Sequence, residues 1–229
     1  IHRMLEKKGM ERVGGEWFRC TEKEIRAAWL AVRTRTANME NRTRDFAMRP
    51  EQKEAVKRTL NYFKAERADG RTPRFLWNAK MRFGKTFAAY QLARRLNARR
   101  VLILTFKPAV QTAWKEDLET HLDFEGWQFI CREQGPEALP IDAQYRQADA
   151  GRPIVCFGSF QDFLGVNKET GGIKPQHEWV REINWDLVIF DEYHFGAWKE
   201  NAKALFLMED EEEEYNTALP ETNSGNVCD

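Results

Sequence analysis

A chain of 229 residues can bury the core of one substantial α/β domain with a short appendage. Its composition, 42% hydrophobic and 31% charged, is that of a globular protein and excludes a disordered or fibrous chain. No stretch approaches the roughly eighteen apolar residues of a membrane-spanning helix, and the charged start Ile1–Lys8 has no signal-peptide core, so a cytoplasmic protein is expected. The net charge of zero conceals an asymmetry: residues 1–100 hold 26 Lys and Arg against 11 Asp and Glu, whereas the remainder holds 10 against 25. A basic half attracts polyanions, although a merely solvated surface has the same composition. Cys20, Cys131, Cys156 and Cys228 are far apart and lie near no histidine at ligand spacing, which suits reduced thiols better than a zinc site.

Along the chain, residues 1–33 predict helix, turn, helix, with Gly14-Gly15 breaking the first helix. Thr21 and Glu24 form a capping box ahead of Ile25, Ala28, Trp29 and Val32 at helical spacing. Residues 34–45 lose that periodicity and read as a linker. A single domain follows over 46–208. It begins with an amphipathic helix at 51–68, turning Ala55, Val56, Leu60 and Phe63 inward. Arg74–Asn78 predicts a short strand, Lys85–Leu96 a helix, Val101–Phe106 a strand buried on both faces, and Pro108–His121 another helix. Ile154–Phe157 and Leu187–Phe190 are two further buried strands. Strands alternating with helices imply crossover connections and a parallel sheet, whose ligands bind at the strands' carboxyl ends. Residues 209–229 hold the acidic run Glu209–Glu214 and read as a loop or tail.

Two motifs stand at those carboxyl ends. Ala79-Lys80-Met81-Arg82-Phe83-Gly84-Lys85-Thr86 matches the phosphate-binding loop except that alanine replaces its first glycine. Loop N–H groups and the positive end of the helix opening at Lys85 converge on a phosphate. Lys85 would reach the terminal phosphates of ATP, and the Thr86 hydroxyl would ligate Mg²⁺. An isolated Gly-Lys-Thr also occurs in ordinary turns; the predicted strand before it and helix after it favour the phosphate loop. The second motif, Asp191-Glu192-Tyr193-His194, follows a buried strand. Asp191 suits Mg²⁺ positioning, and Glu192 suits a base that orients the attacking water.

Strand, loop, Gly-Lys-Thr and helix, together with Asp-Glu-x-His, resemble motifs I and II of the DExH branch of superfamily 2 helicases. The spacing Ala-x-Met-x-x-Gly-Lys-Thr is similar to that in the helicase subunit of restriction enzymes. Three further segments follow the family's order. Arg49-Pro50-Glu51-Gln52 resembles the Q motif, whose glutamine reads adenine. Phe106-Lys107-Pro108, leading to Gln111 and Trp114, resembles motif Ia, and Gly158-Ser159-Phe160-Gln161 resembles a later nucleic-acid-contacting motif.

The resemblance implies a RecA-like P-loop domain, preceded by a small α-rich segment, that hydrolyses ATP with Mg²⁺ on DNA, with RNA as an alternative. It implies catalytic roles for Lys85, Asp191 and Glu192 and ATP binding by Gln52, Arg82, Phe83, Gly84, Lys85 and Thr86. His194 would couple the motifs, and Thr105, Lys107, Ser159 and Gln161 would contact nucleic acid. No motif III or second RecA-like lobe with its arginine finger is found in the sequence. The chain is therefore expected to be a first lobe that hydrolyses ATP poorly alone, working with that second lobe and with nuclease or methylase and specificity modules in restriction or phage defence. A non-helicase P-loop ATPase and a nucleic-acid-binding module with a vestigial nucleotide site are the alternatives. Ile1-His2-Arg3-Met4-Leu5 and Gly15–Cys20 are also similar to the C-terminal end of a GIY-YIG nuclease domain. Otherwise residues 1–33 are an accessory helical hairpin with Trp17, Phe18 and Trp29 as core. Trp77, Trp114, Trp127, Trp179, Trp185 and Trp198 fall at core-like spacing.

Overall fold

A computed structural model describes residues 1–160, 163 and 178–191. Helix α1 (His2–Lys7) leads into an antiparallel hairpin of β1 (Glu11–Gly14) and β2 (Trp17–Arg19), followed by α2 (Glu22–Thr34). The predicted helix–turn–helix is thus corrected to helix–hairpin–helix. Gly14-Gly15 does not break α1, which has ended at Lys7; it turns the hairpin, with Gly15 at φ +52°. Val13, Trp17 and Phe18 are strand-forming residues that outweigh a helical reading once flanked by that turn. The capping box of α2 is present: the Glu24 N–H donates to Thr21 Oγ1 at 3.3 Å and the Thr21 N–H to Glu24 Oε2 at 2.6 Å. The face of α2 that packs is Ala27, Ala28, Leu30 and Ala31, whereas Ile25, Trp29 and Val32 are about half exposed and Trp17 is 80% exposed. Small side chains let the helix approach its neighbours closely, and the guanidinium of Arg33 covers the Trp29 ring at 4.4 Å.

The segment expected as a linker is pinned to the domain that follows. Asn38 is buried and donates to the carbonyls of Ala27 and Arg42. Arg42 is 2% exposed, donates to the carbonyls of Leu118 and His121, and pairs with Glu40 at 2.7 Å.

The main domain comprises α3 (Pro50–Ala68), α4 (Lys85–Arg95), β3 (Arg100–Thr105), α5 (Gln111–Thr120), β4 (Gln128–Ile130), α6 (Ile141–Gln147), β5 (Ile154–Ser159), α7 (Glu178–Glu182) and β6 (Leu187–Asp191). The four strands β3–β6 form one parallel sheet in the order β4-β5-β3-β6. Alternate residues of β3 and β5 feed two cores, as expected for strands covered on both faces, whereas in β6, expected to be buried, Val188 is 39% exposed. Val101, Ile103, Val155 and Phe157 pack with α3, α4 and α5 through Val56, Phe63, Tyr90 and Leu118. Leu102, Leu104, Ile154 and Cys156 face Ile141 and Tyr145 of α6 and Val180 of α7. Phe87–Ala93 of α4 are all buried, and three of those seven are alanines that admit the sheet and α3 at close range. The inward stripe of α3 is Gln52, Val56, Thr59 and Phe63, with Ala55 and Leu60 half-buried.

Arg74–Asn78, predicted as a strand, pairs with no strand among the described residues. Its side chains are held by α3 instead: the Trp77 indole donates to Thr59 Oγ1 at 2.8 Å, and the Phe75 ring lies 5.4 Å from that of Tyr62. Among the described residues no helix is long and apolar enough to cross a membrane.

Candidate active site

The carboxyl ends of β3, β5 and β6 and the amino end of α4 meet at one edge of the sheet. The approach to α4 needs two left-handed residues, Arg82 at φ +63° and Gly84 at φ +75°. Gly84 occupies the cap position and makes no side-chain cap, and the positive end of the α4 dipole lies at this turn. Glycine suits position 84 by its φ, and a Cβ there would stand 2.6 Å from Gln52 Nε2, so the amide would have to shift.

Gln52 is 5% exposed and braces this loop. Its Nε2 donates to the Phe83 carbonyl at 2.7 Å, and its Oε1 accepts from the Arg49 N–H at 2.9 Å. Arg49 adds bonds from its guanidinium to the carbonyls of Arg82, at 2.8 Å, and Phe83. In this conformation both ends of the Gln52 amide bond the protein, so the amide holds the loop. Beside the loop lies an open cleft of about 630 Å³, lined by Arg49, Arg58, Phe75, Trp77, Lys80 and Phe83 among others. Aromatic walls and cationic rims are the surfaces a nucleotide base and its phosphates need.

Across the sheet, Ser159, Thr105 and Asp191 stand in register on three adjacent strands. Lys85 Nζ lies 3.8 Å from Asp191 Oδ1, which brings the two motifs together over a separation of more than a hundred residues. The other carboxylate oxygen, Oδ2, accepts from the Trp114 indole N–H at 2.9 Å. Asp191 is largely buried and Lys85 partly open. A carboxylate and the Thr86 hydroxyl are hard oxygen donors of the kind Mg²⁺ takes when phosphates and water complete its shell. Among the described residues no cluster of three or more His, Cys, Asp or Glu offers the all-protein cage of a structural metal.

Lys107 is exposed at the same edge. Thr105 and Ser159 are buried, and Thr105 Oγ1 accepts from the Lys107 N–H at 3.1 Å. The direct nucleic-acid contact expected of these two side chains is therefore not open to them in this conformation; Thr105 shapes the turn that presents Lys107. Glu192, His194 and Gln161 lie outside the described residues. The contributions of Arg49 and Trp114 to the site were not assigned from sequence, although both stand in segments that the motif resemblances cover.

A family model described as "Type III restriction enzyme, res subunit" matches residues 45–221. The chain belongs to that family. A relative from Mycoplasma pneumoniae, named as a putative type II restriction enzyme and methyltransferase C-terminus, is 35% identical over 162 residues, covering 69% of this chain. The match spans 21% of the relative's length. The res-subunit family is of the helicase type, and the four-stranded parallel sheet between helices agrees with a RecA-like lobe.

Proposed function

We propose that this res-family chain is the nucleotide-binding lobe of an ATP-driven motor that acts on DNA within a restriction enzyme. The observation that carries the reading is the meeting of Lys85, at the start of α4, with Asp191 at the end of β6. Lys85 and the N–H groups of the loop Arg82–Thr86 bind the phosphates of ATP. Gln52 and Arg49 keep that loop in its left-handed turn, and adenine lies in the aromatic cleft beside it. Asp191 and Thr86 hold Mg²⁺, which when bound supplies positive charge to the transferring phosphoryl group. Glu192 orients the attacking water, and His194 couples this centre to the rest of the motor. Duplex DNA passes over the edge that exposes Lys107, with Gln161 nearby in sequence to Ser159. A second RecA-like lobe supplies the arginine that completes catalysis, and nuclease, methylase or specificity modules make the motor a restriction enzyme.

ATP turnover by the parent protein, with and without duplex DNA, tests this. DNA-stimulated hydrolysis that is lost in both Lys85→Ala and Glu192→Gln is the expected result. Turnover indifferent to DNA supports a non-helicase ATPase, and salt-sensitive DNA binding without any nucleotide binding supports a nucleic-acid-binding module.

A further inference from the structure

Trp114 sits between the two elements that build the nucleotide site. It is 2% exposed in α5, and its side chain reaches across to β6, where the indole N–H meets Asp191 Oδ2 at 2.9 Å. Its backbone carbonyl accepts from the hydroxyl of Tyr90 in α4, at 3.0 Å, and the two rings meet edge to face at 5.2 Å. One residue thus ties the helix that begins at Lys85 to the strand that ends at Asp191. A buried indole N–H must find an acceptor. Here it takes one oxygen of the carboxylate whose other oxygen points toward Lys85. Helix α5 also begins a few residues after Lys107, and Arg42 engages carbonyls at its far end.

We propose that Trp114 is a positioning residue for the Mg²⁺-binding carboxylate: its indole N–H fixes the rotamer of Asp191, leaving Oδ1 aimed at the metal and Lys85. This rests on the nucleotide-site reading above. A side chain held by a directed hydrogen bond is pre-organised, so losing the donor weakens the metal's hold without touching the phosphate loop. Charge-assisted hydrogen bonds are strong enough for that loss to read as about tenfold or more.

The test uses the 229-residue chain with Trp114→Phe and, to keep ring size and shape, with β-(3-benzothienyl)alanine at position 114, which has sulfur where indole has N–H. The first readout is the indole ¹⁵N–¹H resonance of Trp114, assigned by its absence in Trp114→Phe. It moves upfield in Asp191→Ala if the hydrogen bond exists. The second is the Mg²⁺ concentration that half-saturates binding of a fluorescent ADP. Both Trp114 variants raise it about tenfold, leave ADP binding in EDTA unchanged, and add nothing in the Asp191→Ala background. A resonance indifferent to Asp191→Ala overturns the positioning role. So does equal weakening of ADP binding with and without Mg²⁺, which is what a purely packing role would give. Absence of Mg²⁺-dependent ADP binding in the wild-type chain overturns instead the nucleotide-site reading on which the role rests.

Discussion

Replacing Gly84 with alanine puts a methyl group where the side-chain amide of Gln52 now lies. Two costs can be read from the structure. At φ +75° an L-residue is strained by about 1–2 kcal/mol. The new Cβ would stand 2.6 Å from Gln52 Nε2, so Gln52 must withdraw and abandon its 2.7 Å bond to the Phe83 carbonyl. Leaving that buried donor unsatisfied costs about 1–3 kcal/mol more. Gly84→Ala is therefore expected to lower stability by about 2–5 kcal/mol, measured by urea denaturation at matched m-values. The two costs can be separated. Gln52→Ala removes the group that the methyl would strike, so the double variant should be more stable than the sum of the single effects predicts, by about 1 kcal/mol or more. Strict additivity of Gly84→Ala and Gln52→Ala, or a Gly84→Ala variant as stable as wild type, would refute the picture of Gln52 as the brace of the loop.

Three other outcomes are expected. Arg42→Leu removes a buried guanidinium and strands the carbonyls of Leu118 and His121, at a cost of about 3 kcal/mol or more in denaturation experiments. Arg42→Lys should recover only part of this, because an ammonium cannot reproduce the planar fork. Gly158→Ala would drive a Cβ to 2.0 Å from the Phe163 ring, so thermal unfolding should show destabilisation of about 1–3 kcal/mol that Phe163→Leu partly relieves. His121 is buried, with Nδ1 accepting from the Asp123 N–H and Nε2 on the Phe46 carbonyl, and burial pulls its imidazole below the ordinary 6.5. The unfolded chain then takes up the proton first, so this contribution is complete above pH 6.5. It declines as pH falls below that value and stops declining beneath the lowered folded value. The urea midpoint should fall as pH is lowered from neutral through 6.5, and His121→Gln should flatten that slope.

The central sheet was legible because unbroken apolar runs announce buried strands: Val101–Thr105 and Leu187–Phe190 each lie on a strand, although in the second Val188 is 39% exposed. The capping box at Thr21 and Glu24 was legible for a similar reason, since its chemistry is local. What escaped depends on partners distant in sequence. Ile25, Trp29 and Val32 recur at helical spacing, yet Ala27, Leu30 and Ala31 face the neighbours, and only tertiary packing selects between two faces of one helix. Arg42 looks like linker charge until α5 presents two carbonyls to it. Arg74–Asn78 has the composition of a strand, but Thr59 and Tyr62 on α3 capture Trp77 and Phe75. At the site, the spacing of Gly84, Lys85 and Thr86 carried the phosphate loop. Trp114 stands in the segment that resembles motif Ia, but its bond to Asp191 was not legible there, because that partner lies 77 residues away.

The most direct test of the nucleotide site is amide hydrogen exchange with and without Mg²⁺ and ADP. N–H groups that bind phosphate at the start of α4 should slow on ligand addition, so peptides covering Arg82–Ala88 should be protected, and Lys85→Ala should abolish the effect. Protection that is absent from these peptides, or that persists unchanged in Lys85→Ala, would contradict the assignment of this edge of the sheet to ATP.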